Sequence, residues 1–190
     1  MAHNPAARYT APMPLPVRVR HATIADAASV AAIYNDGIAG HAATFETTPR
    51  SVADLELRLA DVERYPVVVA DAGASGVVGW AGLSEYRPRA CYRGIAEFSV
   101  YVASDWHGRG VGRLLMEGLI VAATERGFWK LVSRVFTFNA ASRALCRAVG
   151  FRDVGIYERH GYLDGDWRDV VVVERLIPEN QPPDGPRGIG

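Results

Sequence analysis

Three glycines in the middle of the chain, Gly108, Gly110 and Gly112, constrain the fold more than any other feature. They follow an apolar strand-like run that ends near Ala103. They precede the segment "GVGRLLMEGLIVAATERG", whose apolar residues recur at helical spacing. Glycine permits a tight backbone path on which several N–H groups converge, and the start of a helix adds positive potential. The segment therefore predicts a loop that binds a phosphate or pyrophosphate, with a plain turn before a helix as the alternative.

Two familiar phosphate loops do not fit this segment. The P-loop requires Gly-Lys-Ser/Thr after its glycines, whereas Gly112 is followed by Arg113 and Leu114. The dinucleotide fingerprint Gly-x-Gly-x-x-Gly belongs near the first strand of a βαβ unit, whereas these glycines recur at every second position in mid-chain.

The remaining segments predict an α/β (α+β) domain with a mixed sheet. Two Ser/Thr-x-x-Asp patterns, starting at Thr23 and at Ser51, predict helix N-termini. Runs rich in Val and Ile predict the strands, and the predicted order is β-α-α-β-β-β-α-β-α-β-β. This order corresponds to about seven strands flanked by about four helices.

Composition indicates the limits of the domain and excludes some classes of partner. Pro- and Gly-rich ends predict disordered tails at residues 1–16 and 178–190 around one domain, residues 17–177. Equal numbers of basic and acidic residues, 21 of each, argue against a nucleic-acid partner. The short apolar runs predict no membrane span, and Cys91 and Cys146 form neither a disulfide framework nor a zinc pattern, so no metal is expected. Without an export signal, the expected location is the cytoplasm.

The segment "HGRGVGRLL" resembles the acetyl-CoA pyrophosphate loop of the GNAT acetyltransferase superfamily, Gln/Arg-x-x-Gly-x-Gly/Ala. Gly110, Val111 and Gly112 match this pattern, and His107 stands at the Gln/Arg position. The segments "YNDGIAGHAATFETTP", "GWAGLSEYRPRACYRGIAEFSVYV", "NAASRALCRAVGF" and "GYLDGDWRDV" extend the resemblance over residues 17–177. Together they are most similar to the phosphinothricin and arsinothricin N-acetyltransferases.

The resemblance implies a GNAT fold with a mostly antiparallel sheet, acetyl-CoA as co-substrate, and a homodimer. It implies that the strand before the loop runs beside the pantetheine arm with free backbone N–H groups. The expected cofactor-binding residues are Val100, Tyr101, Val102, His107, Gly108, Arg109, Gly110, Val111, Gly112, Asn139 and Ser142. Asn139 is also a suitable N-cap, and the side chains of the strand residues are expected to pack in the core.

Glu97 is the expected catalytic base. An amine must lose a proton before it attacks a thioester, and Glu97 interrupts the apolar strand "GIAEFSVYV" just before the loop. The family places its catalytic carboxylate at this Glu. Burial would raise the pKa of this carboxyl, whereas the alternative is a strand residue that faces solvent. Cys146 stands where relatives carry a residue proposed to protonate the thiolate, but a small core side chain is the favoured interpretation.

The resemblance places Phe45, Glu46, Arg89 and Tyr92 around the substrate. An arginine can hold a carboxylate, phosphinate or arsinate, Tyr adds a hydrogen bond, and Phe45 would form an apolar wall. A solvated Arg89 and a core Phe45 are the alternatives. Glu46 replaces the Arg that phosphinothricin enzymes often carry, which favours an arsinothricin-like substrate. The segment "RHGYLDGDWRDV", with Tyr162, Trp167 and Asp169, is expected to close the site or form a dimer interface.

The combined expectation is an N-acetyltransferase that modifies the α-amino group of a small amino-acid analogue such as phosphinothricin or arsinothricin. Two alternatives remain open. One is the same chemistry on another amine, such as methionine sulfone, methionine sulfoximine, a polyamine or a protein N-terminus. The other is a sensor that binds acyl-CoA without catalysis.

Overall fold

The computed structural model of the chain describes residues 17–181. The predicted tail at 1–16, and residues 182–190 of the predicted tail at 178–190, lie outside these residues. The described part contains seven strands, β1 (Arg18–His21), β2 (Val67–Asp71), β3 (Val77–Glu85), β4 (Ile95–Val102), β5 (Lys130–Phe136), β6 (Arg152–Leu163) and β7 (Asp166–Leu176). It contains four α-helices, α1 (Ala27–Ala39), α2 (Val52–Ala60), α3 (Val111–Glu125) and α4 (Ala140–Ala148).

The seven strands form one sheet in the order β1-β2-β3-β4-β5-β7-β6. Every neighbouring pair is antiparallel except β4 and β5, which are parallel. One face of the sheet packs against α1 and α2 around Trp80, and the other packs against α3 and α4 around Leu115 and Leu119. The core therefore has two apolar layers with the sheet between them.

The sheet opens between β4 and β5. Only Ile95–Glu97 of β4 pairs with Lys130–Val132 of β5. Beyond Glu97, β4 continues alongside β3 while β5 continues alongside β7, so the two strands diverge. The divergence leaves a wedge in the middle of the sheet, with Glu97 at its apex.

Beyond Glu97, the backbone of β4 directs alternate amide groups into this wedge. The Ala103 amide donates to the Val78 carbonyl (2.9 Å), so Val102 and Gly79 form a non-hydrogen-bonded antiparallel pair. By this alternation, the amides of Val100 and Val102 point away from β3, towards the wedge. The amide of Tyr101 points to β3 instead, so of the three expected strand residues only Val100 and Val102 offer backbone donors there.

Local sequence signals explain where α1 and α2 begin. Thr23 and Asp26 form a capping box on a short 3₁₀ turn that leads into α1, and Ser51 and Asp54 form one on α2. Helix α2 ends at Ala60, where the chain turns at Asp61.

Asn180 joins the C-terminal end of the described chain to the end of α3 and the residues that follow it. Of the predicted C-terminal tail, residues 178–181 are described, and Pro178–Asn180 form a 3₁₀ turn. The Asn180 side-chain amide donates to the carbonyls of Thr124 (2.7 Å) and Phe128 (2.9 Å). Within residues 17–181 no helix is long and apolar enough to cross a bilayer.

Candidate active site

The wedge between β4 and β5 forms a cavity of about 590 Å³. Its walls come from Phe98–Tyr101 of β4, Ser133–Phe136 of β5, the α1–α2 loop and the start of α4. This volume lies in the range of small-molecule and cofactor sites. Residues of α1 and of the α1–α2 loop line the cavity together with residues of α4, so both helical layers border it.

Glu97 forms an ion pair at the apex of the wedge with Arg134 of β5. The guanidinium nitrogen Nη2 of Arg134 lies 2.5 Å from Oε1 and 2.6 Å from Oε2 of Glu97. The side chain of Glu97 is 25% exposed and that of Arg134 is 44% exposed. Glu97 thus faces the cavity as a half-buried carboxylate with one cationic partner, rather than as the isolated buried carboxyl that the strand pattern suggested.

The glycine loop lies beyond the wide end of the wedge and leads into α3. Gly108 (φ 71°) and Gly110 (φ 84°) adopt left-handed backbone conformations, and Gly110 is the N-cap of α3. Within residues 17–181, the amides of residues 108 to 112 donate to no other backbone carbonyl, whereas those of Arg113 and Leu114 both donate to the Gly110 carbonyl. Free amides at a helix N-terminus provide the donors that an anionic diphosphate requires.

Several side chains of the loop are occupied elsewhere. His107 donates from Nε2 to the Val102 carbonyl (2.8 Å), so its ring folds back onto the end of β4. The Arg109 guanidinium lies over the Trp106 ring at 5.2 Å, and Val111 is buried in the core. At Gly112 a Cβ would approach Leu145 to 3.1 Å, so this glycine permits α3 to pack closely on α4. An anion at this loop would therefore contact backbone more than side chains.

Asn139 and Ser142 line the wedge cavity from α4. The Ser142 amide donates to Oδ1 of Asn139 (3.0 Å), so Asn139 caps the helix. The side-chain amide of Asn139 also donates to the Ala42 carbonyl (2.9 Å) and thereby ties α4 to the α1–α2 loop. Tyr101 contributes to the cavity wall, but its ring stacks on Trp80 at 5.0 Å, and burial raises its pKa.

Phe45 and Glu46, the expected substrate residues of the α1–α2 loop, also line the wedge cavity. The Phe45 ring packs edge-on against Phe136 (4.7 Å) and lies so close to Gly161 that a Cβ there would meet it at 2.5 Å. The Glu46 carboxylate pairs with Arg50 at 2.8 Å. The Phe45 ring therefore packs the loop against β5 and the β6–β7 hairpin, whereas the Glu46–Arg50 pair lies within the α1–α2 connection.

A second cavity, of about 340 Å³, adjoins the first. Tyr86, Arg87, Tyr92 and Tyr157 contribute to its wall. Glu97, Ser133 and Arg134 line both cavities, so the two meet at the ion pair.

The structure separates the two substrate residues expected from the β3–β4 connection. Tyr92 lines the second cavity and packs edge-on against Tyr86 (5.6 Å). Arg89 is exposed and lines neither of the two cavities. On the hairpin, Tyr162 and Trp167 pack against each other at 5.3 Å on the surface, and Asp169 accepts from the Arg159 amide at 2.7 Å.

Cys146 reaches the wedge cavity from α4 but is almost completely buried. Burial, reinforced by the nearby Asp153 carboxylate, raises the pKa of the Cys146 thiol to about 11. It is therefore a protonated thiol near neutral pH, in keeping with a core role. Among the described residues, no group of three His, Cys, Asp or Glu side chains could hold a metal ion.

Arg134 was not among the residues expected at the site from the sequence. The signal was available, because "KLVSRVF" carries a charged residue within an apolar strand, as "GIAEFSVYV" does at Glu97. Only the parallel pairing of β4 with β5 shows that these two charges face each other.

Comparison with known proteins gives three kinds of match. A model of the acetyltransferase (GNAT) family matches residues 30–151. The chain is 34% identical over 168 residues to the L-methionine sulfoximine/L-methionine sulfone acetyltransferase of Pseudomonas aeruginosa, covering 87% of this chain and 98% of that protein. It is 36% identical over 156 residues to the phosphinothricin N-acetyltransferase of Alcaligenes faecalis, covering 80% and 78%.

A solved structure shares the fold. The phosphinothricin acetyltransferase of Sinorhizobium meliloti, in complex with acetyl-CoA, superposes with a TM-score of 0.84 at 31% identity, over 92% of this chain and 95% of that one. The matches confirm the expected family, its acetyltransferase chemistry and the seven-stranded mixed sheet with four helices. The chain belongs to the GNAT family of acetyltransferases, among N-acetyltransferases of the phosphinothricin and methionine sulfoximine type.

Proposed function

We propose that this chain acetylates the α-amino group of a small amino acid or amino-acid analogue, with acetyl-CoA as the acetyl donor. Phosphinothricin, arsinothricin, methionine sulfone and methionine sulfoximine are the candidate substrates. The observation that carries the proposal is that two cavities meet at Glu97, where β4 and β5 separate. The relatives named for phosphinothricin and for methionine sulfoximine support this substrate class.

The wedge cavity suits the acetyl donor. Acetyl-CoA supplies an acetyl group activated as a thioester. The free amides of residues 108 to 112 would hold its diphosphate, and the β4 amides of Val100 and Val102 would face its amide-containing arm. A β4 amide would also donate to the thioester oxygen as that oxygen gains negative charge.

The second cavity suits the amine. A substrate there would lie against Glu97, which lines both cavities, and Glu97 accepts the proton that the ammonium must lose, directly or through a water. The Tyr86, Tyr92 and Tyr157 rings would surround the rest of the substrate. Arrival of the two reactants from two cavities brings amine and thioester together at the apex.

Direct attack by the amine fits the site better than an acetyl-enzyme. Cys146 is the cysteine on the wedge cavity, and its raised pKa keeps it as a thiol, which is a poor nucleophile. Cys91 is exposed on the turn between β3 and β4 and lines neither of the two cavities.

An amine panel tests the proposal. Calorimetry with acetyl-CoA is followed by thiol release with phosphinothricin, arsinothricin, methionine sulfone, methionine sulfoximine and a polyamine. We expect acetyl-CoA to bind and at least one α-amino acid of the panel to release thiol faster than the polyamine. Binding of acetyl-CoA without thiol release for any amine would instead support an acyl-CoA sensor.

A further inference from the structure

The Glu97–Arg134 ion pair has opposite charges side by side at the point where the amine must react. An α-amino acid is a zwitterion, with an ammonium and a carboxylate on one carbon. We propose that Arg134 is the specificity-determining residue that binds the α-carboxylate of the substrate, while the α-ammonium lies against Glu97. This inference rests on the proposed function and adds a role for a residue that the sequence resemblance does not include.

Arg134 retains donors for a second anion. Its contact with Glu97 uses Nη2 alone. Its Nη1 and Nε have no hydrogen-bond partner within residues 17–181, and the side chain is 44% exposed to the space where the cavities meet. With Nη1 and Nε unpaired in the described part of the chain, the guanidinium can donate hydrogen bonds to a second carboxylate while Nη2 stays on Glu97.

The other cations on the wall of the second cavity are already in contact with neighbours. Lys130 donates to Glu174 at 2.8 Å. Arg87 lies over the Tyr86 ring at 5.5 Å. Arg89, the arginine that the resemblance favoured, lines neither of the two cavities. Arg134 is therefore the cation best placed to select an acidic group next to the reacting nitrogen.

The short separation between the α-carboxylate and the α-amino group of the substrate supports the same role. The α-carboxylate and α-amino group of an amino acid are attached to one carbon, so their partners must be neighbours in the protein. Glu97 and Arg134 touch, and both line the second cavity. A substrate whose carboxylate lies farther along the molecule, or that has none, would give Arg134 no anion to bind besides Glu97.

The test compares two substrates that differ only in the carboxylate, L-methionine sulfone and 3-(methylsulfonyl)propylamine. Both are measured with the full-length wild-type protein and with Arg134→Gln. For the variant we expect KM for methionine sulfone to rise about tenfold or more, since charge-assisted hydrogen bonds are lost. The KM for the decarboxylated amine should change less than about threefold, and any change in kcat that follows from loss of the cation beside Glu97 should be shared by both substrates.

A charge-conserving variant and a control variant complete the test. Arg134→Lys keeps the charge and should recover part of the preference for the amino acid. Arg126→Gln removes an arginine of similar exposure that pairs through one nitrogen with Glu63 (2.8 Å), on neither of the two cavities, and should leave both KM values unchanged.

The outcomes separate this inference from the proposed function. Equal losses on both substrates in Arg134→Gln would mean that Arg134 acts only through Glu97, and would overturn the inference. An unchanged preference for the amino acid, or a wild-type protein that acetylates amines without preferring the α-carboxylate, would also overturn it and leave the acetyltransferase intact. A wild-type protein that binds acetyl-CoA but neither binds methionine sulfone in calorimetry nor acetylates any amine would refute both.

Discussion

At the level of single residues, the proposed chemistry depends on Glu97. It is the last residue of β4 that pairs with β5, so its position follows from the point at which the sheet opens. Its side chain lies on the same face of β4 as that of Tyr101, which packs against α1, because side chains alternate along a strand. The glycine loop lies at the other end of the wedge, so loss of the carboxylate should not disturb the diphosphate site.

Replacing Glu97 by Gln should therefore slow the reaction without weakening acetyl-CoA binding. We expect kcat to fall by about 10²- to 10⁴-fold, as is typical when a general base is removed. Steady-state kinetics and calorimetry with acetyl-CoA give the two readouts. Glu63→Gln, which removes an exposed carboxylate paired with Arg126, is the matched control and should behave like wild type. Near wild-type turnover in Glu97→Gln would remove this residue from the mechanism.

At the level of elements, the connection from β4 to α3 depends on Gly110. Its φ of 84° lies in the left-handed region, and a Cβ there would meet nothing within 4 Å. The cost of a side chain at Gly110 is therefore one of backbone conformation rather than collision.

Gly110→Ala should destabilise the fold by about 1–2 kcal/mol and weaken acetyl-CoA binding by about tenfold, because the loop relaxes away from its left-handed path. Chemical denaturation and calorimetry measure the two effects. Gly73→Ala is the matched control, since Gly73 has φ 63°, equal free space, and a place in the β2–β3 turn. It should show the same loss of stability with unchanged affinity. Equal affinity in both variants would contradict the assigned role of the loop.

The start of α1 depends on a buried carboxylate. Asp26 is 7% exposed and accepts two hydrogen bonds from Arg20, both 2.8 Å, and others from Thr23. The hydrogen bonds from Arg20, followed by those from Thr23, lower the pKa of Asp26 from 3.8 to about 2 against the opposing effect of burial. A lowered pKa in the folded state means that the unfolded chain binds the proton more tightly. The resulting stability is present above about pH 4 and is lost as the pH falls towards 2.

Asp26→Asn should remove this contribution, about 2–2.5 kcal/mol near neutral pH, and flatten the loss of stability between pH 4 and pH 2. Urea denaturation across that range provides the measurement. The exposed Asp54 of the α2 capping box is the comparison. Its carboxylate accepts from Ser51 rather than from an arginine, so Asp54→Asn should lose less stability than Asp26→Asn. A parallel pH dependence in wild type and Asp26→Asn would show that other carboxylates determine acid unfolding.

At the level of the whole molecule, β6 is an edge strand of the sheet that residues 17–181 form. It is twelve residues long, lies at the end of the sheet, and is exposed along most of its length. Val154, Ile156 and Tyr157 are 49%, 58% and 53% exposed. Long exposed apolar edges favour pairing with another chain, so the expected homodimer would use this strand.

We expect sedimentation equilibrium to give twice the chain mass of 20.6 kDa for the wild type and the monomer mass for Ile156→Lys. A charge at the edge disfavours strand pairing without entering the core. Leu57→Lys changes an apolar residue that is more exposed still, on α2, and should leave the mass unchanged. A monomeric wild type would refute the dimer, and a dimeric Ile156→Lys would place its interface elsewhere.

Local patterns in the sequence account for most of the secondary structure. The predicted runs "VVVAD" and "KLVSRVF" coincide with β2 and β5, and both capping boxes form where their spacing indicates. Such features depend only on residues close together in the sequence, so a single sequence is enough to predict them. The glycine loop could also be predicted, because its proposed function depends on a left-handed backbone conformation that glycine adopts most readily.

Contacts between distant segments could not be predicted in the same way. The Glu97–Arg134 ion pair and the hydrogen bond from the Asn139 side chain to the Ala42 carbonyl join residues that are far apart in sequence. The position of Arg89 outside both cavities depends on how the β3–β4 connection folds. Their geometry follows from which strands become neighbours and where two of them part. Local propensity carries no information on that, because strand pairing and divergence are set by the packing of both helical layers on one sheet.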